Sequence, residues 1–132
     1  MLGFGAAEGV AEAGTLLWHE KVVRPATPAT PSEFRHGLIE AARREDVVLL
    51  AGMPGGKAGE RRYVDRLRAE LRDLDIPLVE VRPAADEAPI AALELLLRVQ
   101  QLARAVALAE GTYREEFAIL RHVVRPADDL RG

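Results

Sequence analysis

The sequence predicts an α/β domain, a three-layer αβα sandwich built around a parallel sheet. Short apolar runs alternate with longer helical patterns along the 132 residues, and that alternation is the signature of parallel strands joined by helices. The run "DVVLLAG", residues 46–52, is continuously apolar, as in a strand covered on both faces. "GERRYVDRLRAELRDLD", residues 59–75, is strongly amphipathic, with Tyr63, Val64, Leu67, Leu71 and Leu74 on one side.

The elements follow in order. "MLGFG" reads as the very end of a strand running into a glycine turn. Residues 6–20 read as a helix with Val10, Leu16 and Leu17 as core positions. "KVVRPA" reads as a short strand at 22–25, stopped by Pro25. "TPATP" is a stiff extended connector, because each proline disfavours the α region in the residue before it. Ser32 is placed to cap a helix from Glu33 to Arg44. Strands are predicted at 46–51 and 76–81, on either side of the amphipathic helix. A long helix, apolar nearly all round, starts near Pro89 and ends at Gly111 as its C-cap. The tail "YREEFAILRHVVRP" is expected to add a helical turn or two.

Composition narrows the function. Hydrophobic residues make up 48% and charged residues 30%, the balance of one globular domain with a real core. The net charge of −3 argues against a nucleic-acid partner. Cysteine is absent, which excludes disulfides and thiol chemistry. No signal peptide is visible, and the most apolar stretch carries Glu94, Arg98 and Arg104, so no membrane partner is expected and the localisation reads as cytoplasmic. "GFGAAEG" is one residue longer than dinucleotide spacing, and a tight strand-to-helix turn accounts for it. "GMPGGKA" fails as a phosphate loop: three residues separate Gly52 from Gly56, and Ala58 stands where a magnesium-binding hydroxyl belongs. His19, His36 and His122 lie on separate elements without i, i+3 or i, i+4 pairing, so neither a metal nor another cofactor is expected. Glu20 and His36, sixteen residues apart across the proline connector, are a carboxylate and an imidazole of the kind that moves protons on a sugar.

The run "LGFGAAEGVAEAGTLLWHEKVVRPATPATPSEFRHG" resembles the start of the second SIS (sugar isomerase) domain of the glutamine–fructose-6-phosphate aminotransferases and related phosphosugar isomerases. In that family a GxG turn opens a helix that ends in Glu, and a gapless stretch leads to a "GE(F/L)(R/K)HG" motif. Glu20 and "EFRHG" keep that spacing, and "PIAALELLLRVQQLARAVALAEG" is similar to the family's closing helix. The resemblance covers nearly the whole chain, read as one domain over residues 1–132, equivalent to the C-terminal lobe of a two-lobe protein.

The resemblance implies roles for particular residues. Glu20 would shuttle a proton between C1 and C2 in aldose–ketose isomerisation. His36 would assist ring opening, reaching the site of a neighbouring subunit. Arg35 and His122 would help bind the substrate, a sugar phosphate of the hexose 6-phosphate class. Two positions depart from the family: Leu17 replaces a lysine, and His122 stands where a lysine forms an imine with the ketose. The family's Ser/Thr-rich phosphate loops belong to the first lobe, which is expected to be missing here; the short first strand points the same way. A homodimer, or pairing with a first lobe, is expected, through the 89–110 helix or the exposed side of the 33–44 helix. Half of a sugar-phosphate isomerase or aminotransferase-like enzyme, and a non-catalytic sugar-phosphate sensor or dimerisation domain, both fit the residues, with little turnover expected from this chain alone.

Overall fold

The computed structural model describes residues 1–53 and 58–115. Three parallel strands lie in the order β1 (Leu2–Gly3), β2 (Val48–Ala51), β3 (Leu78–Val81). Leu2 pairs with Leu50, and Val48 pairs with Leu78. On its other side β1 is bridged in parallel to Ala29, whose N–H donates to Met1 O at 2.9 Å while Gly3 N–H donates to Ala29 O at 3.2 Å. The expected strand 22–25 is not there. Val22 instead ends a helix and packs, fully buried, against Ala103 and Ala107. Tertiary packing overrides the β preference of two adjacent valines.

The side-chain alternation of β2 splits the core into two layers. Val48 and Leu50 face α4 (Ala58–Asp73), meeting Leu67 and Leu71. Phe34 joins them from the arm made of α2 (Pro31–Glu33), a π-helical segment (Phe34–Leu38) and α3 (Ile39–Ala41). Leu49 and Ala51 face the opposite way, onto α1 (Ala6–Leu17) and α5 (Ala88–Ala109) through Ala7, Val10, Leu95 and Val99. The three-layer sandwich predicted from the alternation of elements is the observed architecture. Among the described residues no helix is long and apolar enough to cross a membrane.

Local chemistry explains the boundaries. Gly5, at φ 54°, turns β1 into α1, and a left-handed φ of this kind favours glycine. The arm is capped by Thr30 and not by Ser32. Thr30 Oγ1 accepts from Glu33 N–H at 3.1 Å, and the Glu33 carboxylate accepts from Thr30 N–H at 2.8 Å. "TPSE" is therefore a capping box with proline at the first helical position. Gly111, at φ 71°, closes α5 as expected. On α5 the buried row is Ala91, Leu95, Val99, Ala103 and Ala107, spaced by four, whereas Ile90, Leu93 and Leu97 are exposed. Leu16, expected in the core, is also exposed. The tail expected to be helical lies largely outside the described residues.

Candidate functional site

α1 starts at the carboxyl end of β1 and runs back along the sheet, so its far end reaches the amino ends of the strands. There it widens into a π-helical segment, Trp18–Val22, closed by Val23 N–H donating to Trp18 O at 3.0 Å. Glu20 lies in this segment, half-buried. The end of α5 braces it. Arg24 pairs with Glu110 at 2.7 Å, and Thr112 Oγ1 donates to Lys21 O at 3.2 Å. His19 Nε2 accepts from Ala26 N–H at 2.9 Å, which fixes the chain as it turns toward the proline connector.

Val23 pays for that turn. It sits at φ 59°, ψ 38°, in the left-handed region, and is 51% exposed. A β-branched residue is strained there. Val23→Asn is expected to raise stability by about 1 kcal/mol, because a left-handed backbone costs an ordinary residue about 1–2 kcal/mol and asparagine much less. Urea denaturation of the two proteins checks this.

His36 occupies the second π-helical segment, Phe34–Leu38, where Ile39 N–H reaches back to Phe34 O. The segment is anchored by Phe34, buried in the core, and leaves His36 and Gly37 exposed. A Cβ built on Gly37 would meet nothing within 4 Å, so the backbone beside the imidazole is open to an approaching molecule. Next to it, Arg35 is tied down. Its Nε and Nη2 donate to the two carboxylate oxygens of Glu70 at 2.7 and 2.5 Å, and its guanidinium lies 4.9 Å from the centre of the Tyr63 ring. The hydrogen bonds it donates to the Glu70 carboxylate push the Arg35 pKa further up. Tyr63 Oη in turn donates to Pro31 O at 3.0 Å, and its ring meets Phe4 edge-on. Arg35 therefore braces the histidine-bearing arm against α4.

Within one chain Glu20 and His36 do not converge. Glu20 extends the α1/α5 layer at the amino end of the sheet. His36 lies in the layer on the opposite face, on an arm that starts at the carboxyl end. No hydrogen bond joins them. His122 lies outside the described residues.

The structure adds a place that the motifs did not single out. Beyond the carboxyl ends of β2 and β3, under the first half of α4, is a cavity of about 440 Å³. Glu80 of β3 points into the α4-facing layer with only 18% of its side chain exposed, and holds Arg68 of α4 on one oxygen. Its other oxygen accepts from Arg82 Nε and Nη2 at 3.0 and 2.6 Å. Burial works against ionisation of Glu80, but the two guanidiniums outweigh it and hold its carboxyl below the usual range. The signal in the sequence was a glutamate at the core-facing register of "PLVEVR", two residues after Leu78.

No protein-family profile matches the sequence, and no curated protein does. Solved structures do match in fold. Over 91% of its length the chain superposes on a glucosamine-6-phosphate deaminase from Thermotoga maritima with a TM-score of 0.74 and 23% identity. It spans 38% of that protein's length. A candidate sugar-phosphate isomerase from Listeria monocytogenes matches with a TM-score of 0.59 and 16% identity, covering 86% of this chain and 70% of that one. The fold of this chain is thus one found in a sugar-phosphate deaminase and in a candidate sugar-phosphate isomerase.

Proposed function

We propose that the chain is a phosphosugar-binding lobe of sugar-isomerase type, in which Glu20 and His36 are the acid–base groups. One observation carries the reading. The two residues singled out by the "EFRHG" spacing lie in the two π-helical segments of the described residues, and such insertions recur at functional sites. The likeness in fold to a deaminase acting on a sugar phosphate agrees with it. Glu20 would take a proton from one sugar carbon and return it to its neighbour. His36 would donate and accept at the ring oxygen.

Glu20 and His36 lie apart in one chain, so a complete site needs a second copy or another lobe. The exposed row Ile90, Leu93 and Leu97 on α5 offers an apolar surface for such a neighbour. The chain alone is expected to bind sugar phosphate without appreciable turnover, since the proton-moving groups must be positioned together.

Calorimetric titration with glucose, fructose and glucosamine 6-phosphates tests the assignment. At least one should bind, and Glu20→Gln and His36→Ala should each weaken it about tenfold, the effect of losing one hydrogen bond to a charged group. His36→Ala should change stability by less than about 0.5 kcal/mol, as expected for an exposed side chain. Binding of none of the three, or unchanged affinity in both variants, would sink the reading.

A further inference from the structure

The arm that carries His36 has few attachments to the core. From residue 31 to residue 47 only Pro31 and Phe34 are buried, and both precede the histidine. Ile39 and Ala42, which follow it, are half-buried against the core. Gly37, at φ 179° and ψ −56°, takes a non-helical backbone directly after the imidazole. Burial therefore fixes the chain as far as Phe34 and passes little of that order on to the residues after it.

α4 supplies what burial does not. Glu70 receives Nε and Nη2 of Arg35 on separate carboxylate oxygens, a bidentate geometry that fixes the plane of the guanidinium as well as its place. The Tyr63 ring lies 4.9 Å from the same guanidinium, and Tyr63 Oη donates to Pro31 O at 3.0 Å. One tyrosine thus touches the arm on both sides of Phe34. The Arg35 and Glu70 side chains are 22% and 33% exposed, so water weakens this pair less than it would a pair at the open surface. Successive side chains of a helical segment leave its axis roughly a quarter-turn apart. With Arg35 turned onto α4, the direction in which His36 leaves the arm is set, and it leads to solvent. An imidazole that must meet one particular atom gains from being held before that atom arrives.

We propose that Glu70 and Tyr63 are positioning residues for His36, Glu70 acting through Arg35 and Tyr63 through Arg35 and the Pro31 carbonyl. Arg35 is the link in this arrangement, with two donors committed to Glu70, and not a contact to the ligand. The use of the imidazole rests on the acid–base reading above; its placement does not.

Two mild substitutions test the proposal. Glu70→Gln keeps the shape of the side chain and removes its charge, and Tyr63→Phe keeps the ring and removes the bond to Pro31. Heteronuclear NOEs of the amides of residues 34–38 read the order of the arm on the fast timescale. In the unsubstituted chain these amides should be as ordered as those of α4. Both substitutions should loosen them while α4 stays ordered and the spectrum stays dispersed. Calorimetric titration with glucose, fructose and glucosamine 6-phosphates then reads the consequence in a double-mutant cycle with His36→Ala. Glu70→Gln should weaken binding about threefold, and should add no further loss once His36 is alanine. Unchanged amide order in both variants would overturn the proposal, and a lowered urea midpoint as the sole effect would mean that the clamp serves stability only. A loss of affinity in Glu70→Gln that persists in full beside His36→Ala would defeat it too, since Glu70 would then act without the imidazole. If none of the three sugar phosphates binds, the acid–base reading falls, and the amide order alone decides whether α4 places His36.

Discussion

Gly3→Ala is expected to destabilise the chain by about 3 kcal/mol, the upper end for overpacking a filled site. A Cβ at Gly3 would stand 2.1 Å from the carbonyl oxygen of Ala7 and 2.4 Å from its carbon. Both are backbone atoms in the first turn of α1, so no rotamer change relieves the clash. Either β1 must leave its pairing with β2 or the first turn of α1 must unwind. Gly9→Ala is the matched control. Gly9 lies in the same helix, is exposed, and would meet nothing within 4 Å. That change should raise stability by about 0.5–1 kcal/mol, because glycine is a poor helix residue. Urea denaturation of both variants reads the contrast. Equal effects would mean that the close approach of α1 to β1 has been misplaced.

Leu95→Ala is expected to cost about 2–5 kcal/mol, the range for emptying a filled aliphatic site. Leu95 is fully buried between α5 and the sheet, in the cluster with Leu49, Val10 and Val99. Leu93 is 59% exposed on the other side of the same helix. Leu93→Ala should therefore change stability by less than about 0.5 kcal/mol in a monomer. If a second copy covers this face in solution, the cost of Leu93→Ala should rise with protein concentration, because association adds to apparent stability. Thermal unfolding at two concentrations separates the cases.

These contrasts mark what the sequence could and could not tell. The parallel α/β class was legible because "VVLLA" is apolar without interruption and α4 carries its leucines at helical spacing. The inward side of α5 was not, since Leu93, Leu95, Leu96 and Leu97 look alike until the sheet chooses among them. Val22 and Val23 read as a strand by their side chains, yet α5 offered Val22 a better-packed place. The cap was read at Ser32, but the structure places it at Thr30, because Glu33 three residues on closes a capping box with Thr30. Glu20 and His36 were singled out through their spacing along the chain. Their separation across the sheet is a property of the folded layers and could not be counted off in sequence. The cavity at Glu80 rests on residues from α4, β3 and the turn after β1, which no linear motif joins.

The order of the strands also bears on how the chain assembles. β2, α4 and β3 are consecutive, so their pairing closes a comparatively short loop. β1 must instead find residues 50–51 from the amino end of the chain, and then take Ala29 on its outer edge. Long-range contacts of this kind form late, because the entropy of closing the loop is spent before any contact rewards it. By that argument the unit from Val48 to Val81 is expected to form first and β1 to be seated last. The two residues of β1 thus act as a latch: paired with β2 on one side and Ala29 on the other, they tie the α1–α5 layer and the histidine-bearing arm to the centre of the sheet.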